Sequence, residues 1–213
     1  MGIGVRFAPL IVAAALLLSG CAAGTGGAAG ADGPESSDGP AAPAGALPSP
    51  ADALQQLGLS GDDPRGIVDA LDALPLAERP DDLIVSVLPN ALRVQPDQPD
   101  ELVLPLEAGE FYLSIAPYRD QTHPCTFHSL TTCVGEMRSA EVGLRITDAA
   151  TGELIVDRRT RTADNGFVGV WLPADRELEV EITAESAAGT EAGRTTVTTG
   201  AGDPTCLTTI RLT

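Results

Sequence analysis

The chain has 213 residues, a formal net charge of −17, 3% aromatic residues and no lysine. So acidic a surface repels phosphate backbones and anionic headgroups, which excludes nucleic acid as a partner and electrostatic adsorption to a membrane. Four cysteines and two histidines are present; with one cysteine taken by the export signal the remaining three cannot all pair within one chain, which favours a site over a disulfide framework.

Residues 1–20 read as an export signal. Arg6 supplies the positive charge, and Leu10–Leu18 is an apolar run far short of the roughly 20 residues that a spanning helix needs. Leu18-Ser19-Gly20-Cys21 is similar to a bacterial lipobox, which makes Cys21 the expected lipid attachment point. Two acyl chains on that cysteine would anchor the protein stably, where one would bind reversibly. The competing reading is an ordinary secretory signal cut near Gly20 or Ala23. Residues 21–50 then form a Gly/Ala/Pro/Ser tether with nothing to build a core from, spanning roughly 30 Å.

Residues 51–80 are predicted to hold short helices. Ser49-Pro50 followed by Ala51–Leu57 and Gly58 has a cap, a first-turn proline and a terminating glycine. Asp62-Asp63-Pro64 opens a second helix with Ile67, Val68, Leu71 and Leu74 on one face and Asp69 and Asp72 on the other. From residue 81 to residue 213 the period changes to two. Runs at 83–88, 91–94, 102–106, 111–116, 142–147, 154–158, 166–172, 177–183, 194–199 and 206–213 are separated by Gly, Pro and Asp turns. Segment 166–172 is apolar enough to be a central strand, and Phe167 and Trp171 are expected in the core. Glu177, Glu179 and Glu181 alternate with apolar neighbours and form a solvated strand face. The expected class is mainly β, an antiparallel β-sandwich or barrel-like domain with a small N-terminal helical segment.

The richest chemistry lies between His123 and Met137, on an expected long loop between Ala116 and Val142. Both histidines, His123 and His128, are there with Cys125, Cys133 and Met137. Imidazole, thiolate and thioether together favour copper(I) or zinc over hard cations. If 206–213 is a regular strand, Cys206 faces inward with Thr208, Ile210 and Leu212 and can meet this loop. The candidate ligands are therefore Cys125, Cys133, Cys206, His123 and His128, with Met137 assigned to packing. Copper(I) is satisfied by two or three of these, and tetrahedral zinc would need four. The competing reading is a plain Cys125–Cys133 disulfide with loop histidines that merely pack. No catalytic template fits, since there is no nucleophile elbow, no H-E-x-x-H and no phosphate-cradling loop. Thiol-dependent reduction of copper(II) is the one redox activity these residues allow.

Ile115-Ala116-Pro117-Tyr118, Gln121-Thr122-His123, Cys125, Phe127 through Cys133 and Gly135-Glu136 together resemble the CueP family of periplasmic copper-binding proteins. The resemblance extends upstream through Leu71–Pro75, Ala77–Pro80 and Ser86-Val87, and downstream through Asp203–Thr209. It implies a copper-tolerance protein of the cell envelope whose family cysteines fall on Cys125, Cys133 and Cys206, and whose loop histidines fall on His123 and His128. It also implies a homodimer as an assembly to look for and thiol-dependent copper reduction as an activity. The lipobox and tether depart from the family pattern. They favour a membrane-tethered buffer or relay, handing copper to an accepting envelope protein, over a diffusing carrier.

Overall fold

The structure, a computed structural model, describes residues 48–213; the signal, Cys21 and the tether up to residue 47 lie outside the described residues. Ser49 caps α1 (Pro50–Gln56) by accepting the Asp52 N–H, and Asp63 caps α2 (Pro64–Ala73) by accepting the Gly66 N–H at 2.8 Å. Both helices carry proline in the first turn, where its missing N–H costs nothing.

Eleven strands follow in chain order among the described residues: β1 (Val85–Val87), β2 (Ala91–Val94), β3 (Leu102–Pro105), β4 (Glu110–Ile115), β5 (His128–Ser129), β6 (Glu141–Asp148), β7 (Leu154–Arg161), β8 (Val168–Pro173), β9 (Glu177–Ser186), β10 (Gly189–Thr198) and β11 (Cys206–Leu207). They form three sheets, ordered β3-β2-β1-β5, β11-β4-β8 and β10-β9-β6-β7. None of the three closes into a barrel. Every strand pair is antiparallel except β11 on β4, which is parallel with Cys206 opposite Ser114.

Two cores result. Phe111, Leu113 and Ile115 of β4 meet Val168, Val170 and Leu172 of β8 and the inward residues of β6 and β9 in the larger one. Tyr112, on the opposite face of β4, joins Ile67, Val68 and Leu71 of α2 and the apolar residues of β1 and β2 in the second. A strand covered on both faces has no solvated side, so β4 lacks alternation and is buried from Phe111 to Ile115. In β9, by contrast, Leu178, Val180, Ile182 and Ala184 are buried, while Arg194 on β10 pairs with Glu179 and Glu181.

The structure corrects three expectations about placement. β8 is an edge strand of its sheet, not a central one. Its inner face, Val168, Val170 and Leu172, is buried in the larger core, while its outer face, Gly169 and Trp171, is only half-covered on the side of α2. Trp171 is only half-buried there, donating to Asp69 at 2.8 Å beneath the Arg65 guanidinium. The ladder at the C-terminus is two residues long rather than eight. A single inward face is not kept either: Cys206, Leu207 and Thr208 are all buried, Leu207 joins Ile210 and Leu212 in the larger core, and Cys206 packs instead with Ala116 and Phe167. Asp72 is the third correction, because only 8% of it is exposed.

Candidate metal centre

Three segments converge at the junction of the two cores. β11 lies along β4 and carries Cys206 inward. β5 pairs with β1, setting His128 opposite Val87, and its register is pinned by the His128 N–H, which donates to the Thr205 hydroxyl at 3.1 Å. The Cys206 N–H donates to the Thr126 carbonyl at 3.2 Å, so the loop and the last strand are joined directly. A tight turn then brings Cys133 back. Its N–H donates to the Ser129 carbonyl at 3.2 Å, and its sulfur accepts the Ser129 N–H at 3.3 Å.

The far end of the loop is fixed by two devices. Glu136 accepts backbone N–H groups from Arg119 (2.7 Å), Asp120 and Gln121. Burial raises its pKa, but these hydrogen bonds and the Arg119 charge hold it below the ordinary glutamate value. Gly135 donates its N–H to the Asn165 carbonyl at 2.6 Å and lies backbone to backbone against Gly166. Gly166 has φ +84°, and a Cβ there would meet the Gly135 carbonyl carbon at 2.8 Å, so both its conformation and the close approach require glycine.

Within this frame Cys125 and Cys206 form a disulfide with a Cα–Cα distance of 5.6 Å, and Cys133 is a free thiol. The pairing corrects the expectation that a disulfide, if present, would join Cys125 to Cys133. The Cys133 sulfur is still only 3.7 Å from that of Cys125. His128 Nδ1 lies 3.9 Å from the Cys206 sulfur. Two overlapping groups share Cys133: His128, Cys133 and Cys206, and His123, Cys125 and Cys133, each with its ligand atoms within 4.8 Å of one another. Every candidate ligand named from the sequence therefore lies in one cluster. Met137 is apart from it, buried in the larger apolar core.

The cluster has a buried and an open side. Phe167, fully buried, tilts against the His128 ring at 4.6 Å and packs with Ala116 and Cys206. Cys125, Cys133 and His123 are half-buried, next to the exposed Phe127 and Val134. Burial pushes the His128 pKa down, but its bonds to Asp72 and Cys133 outweigh this and raise it. Burial pushes the Cys133 thiol up, and the hydrogen bond and charge of His128, the Ser129 N–H and Arg79 bring it below the ordinary thiol value. The arrangement favours a thiolate beside an imidazolium, the state from which sulfur acts as ligand or nucleophile.

Residues 66–211 match the family model described as periplasmic copper-binding protein CueP. The chain belongs to the CueP family. A crystal structure of S.CueP is similar at 34% identity and a TM-score of 0.68, covering 79% of this chain and 99% of that one. No curated protein matches the chain. Membership in the CueP family makes this a copper-binding protein of a periplasmic family. Among the described residues no helix is long and apolar enough to cross a membrane.

Asp72 and Tyr112 are the site neighbours that sequence reasoning missed. The sequence pattern puts Asp72 on the polar face with Asp69. It follows Val68 by four residues, however, and that spacing places it on the buried face. The Val68–Asp72 offset was the available signal.

Proposed function

We propose that the chain is a lipid-anchored envelope protein that binds copper(I) through Cys125, Cys133 and Cys206 with His128 or His123, and that it sequesters or relays the ion for copper tolerance. The observation that carries this reading is the convergence of three sulfurs and two imidazoles, drawn from positions up to 83 residues apart in sequence (123 to 206), at one junction. Copper(I) takes few, soft ligands, and thiolates with imidazole suit it better than they suit hard cations. With the Cys125–Cys206 bond closed only Cys133 offers a thiolate, so the loading form is the reduced one. Zinc is the weaker candidate, because four donors would have to gather around a single ion. The lipobox at Cys21 supports anchoring on the outer face of the cytoplasmic membrane. A second copy of the chain and a copper-accepting envelope protein are the partners this role calls for.

The test is a copper(I) titration of the reduced chain against a competing chelator. Wild type is expected to bind at least tenfold more tightly than Cys133→Ser, since loss of a thiolate removes a ligand common to both groups. Equal affinities would overturn the ligand assignment.

A second reading is favoured by the disulfide beside a remaining thiol. The Cys125 and Cys206 thiols can each give one electron to copper(II), so that two copper(II) ions become copper(I), two protons leave and the disulfide forms. Cys133 stays behind as a ligand. Anaerobic mixing of the reduced chain with copper(II) should consume two thiols per two copper(I) formed, and the double variant Cys125→Ser/Cys206→Ser, which leaves Cys133 without a partner thiol among the described residues, should abolish that stoichiometry. A chain that binds copper without losing thiols excludes this activity.

A further inference from the structure

Asp72 belongs to no candidate ligand group, yet both its oxygens are engaged. Oδ1 lies 3.3 Å from His128 Nε2, and Oδ2 accepts the Tyr112 hydroxyl at 2.8 Å. The carboxylate is inside the protein, and its own backbone carbonyl accepts from Arg79. β8 makes room for the arrangement at Gly169. A Cβ there would stand 2.7 Å from Asp72 Oδ2 and would collide with the Tyr112 hydroxyl. The two ring nitrogens of His128 thus face different surroundings. Nε2 faces a fixed carboxylate oxygen, and Nδ1 faces the Cys206 sulfur at 3.9 Å.

In a neutral imidazole one nitrogen carries the proton and the other is bare, and the hydrogen bond made by one decides which atom is left to bind metal. A carboxylate only accepts, so it selects the Nε2–H form, against the pull of the Cys133 sulfur, which shares the His128 group with Cys206. We propose that Asp72, held by Tyr112, is a positioning residue that takes the Nε2–H of His128 and so presents bare Nδ1 to the sulfurs, making Nδ1 the imidazole atom that copper meets. This rests on the reading of His128 as a copper ligand. It adds which atom binds and what sets it. Carboxylates behind metal-binding imidazoles act in this way generally, and their loss costs 10–100-fold in metal affinity.

The reduced, metal-free full chain with 15N-labelled histidine tests it by long-range 1H–15N correlation at alkaline pH, where the ring is neutral. The His128 signals are those missing in His128→Gln. Wild type is expected to show a protonated Nε2 and a bare Nδ1. Asp72→Ala should shift the population toward Nδ1–H and weaken copper(I) binding 10–100-fold. Tyr112→Phe, which removes only the buttressing hydroxyl, should move both readouts the same way by less. It serves as the test variant if Asp72→Ala does not fold. A wild-type proton on Nδ1, or a tautomer or affinity unchanged in both variants, overturns the proposal. Unchanged tautomers with affinity lost in Cys133→Ser sink this inference alone. Retained affinity in Cys133→Ser sinks the ligand assignment and leaves the tautomer result standing.

Discussion

Reducing the Cys125–Cys206 disulfide is expected to lower the unfolding free energy by about 4.5 kcal/mol in the chain-entropy model, from a cross-link spanning 81 residues. Urea unfolding with and without reductant reads this directly, and the accompanying fall in melting temperature is on the order of 10 °C for a domain of this size. The magnitude also discriminates between pairings. A bond from Cys125 to Cys133 would close a loop of only about nine residues and contribute about 2.5 kcal/mol. Cys125→Ser should behave like the reduced chain without any reductant and should gain no further sensitivity when reductant is added. An unfolding midpoint that ignores reductant in wild type would exclude the cross-link.

The consequence reaches function. If the reduced chain is the copper-loading form, it is also the less stable one until the ion arrives. Ligand binding to the folded state then returns about 4 kcal/mol when free copper(I) stands a thousandfold above its dissociation constant. The disulfide and the metal are thus alternative clamps on the same junction between β4, β11 and the 117–140 loop. Reduced chain titrated with copper(I) should recover most of the midpoint lost on reduction.

Most of the architecture was legible because solvent imposes a period. β9 shows it plainly, with buried Leu178, Val180 and Ile182 between Glu177, Glu179 and Glu181. In the C-terminal segment the period fails at Cys206-Leu207-Thr208, where both sides of the chain are covered, and returns only from Thr209 to Thr213, where one side meets solvent. The helix starts were legible because Ser49 and Asp63 each satisfy an N–H that the first turn leaves free.

What was not legible depends on contacts across the chain. β4 is buried on both faces and β8 only half-covered on its outer one, yet both are rich in apolar residues, and composition alone does not tell a central strand from a partly covered edge. β5 is two residues long, too short for any period, and exists because His128 finds Val87 as a partner. The cysteine pairing followed space rather than spacing. Cys133 is nearer to Cys125 in sequence, but the parallel seat of β11 on β4 brings Cys206 to it first. Asp72 was misplaced because a carboxylate is expected in water. Tyr112 and His128 provide the polar partners that let it be buried.

Phe167→Ala is expected to cost about 3–5 kcal/mol, the range for truncating a fully buried aromatic side chain. The ring fills the space between Ala116, Cys206 and the imidazole of His128, 4.6 Å away. Its backbone is fixed independently by the Asn165 side chain at 3.0 Å and by its carbonyl, which accepts the Ala163 N–H at 2.8 Å. The neighbours are held too, since the His128, Cys206 and Ala116 N–H groups each donate to a partner, so the void cannot readily collapse and the cost falls toward the upper end. Phe167→Leu keeps much of the volume and should cost less than about 1.5 kcal/mol. It loses the tilted contact with the imidazole, an increment of about 0.5–1.5 kcal/mol for aromatic pairs. Urea unfolding of both variants separates filled space from ring contact. A loss below about 1 kcal/mol for Phe167→Ala would mean that the wall behind His128 is not packed as described. The same wall keeps water from the inner side of the sulfur cluster. Phe167→Ala should therefore also weaken copper(I) binding, whereas Phe167→Leu should leave it nearly intact, because a ligand ring without a wall samples orientations in which Nδ1 no longer faces sulfur.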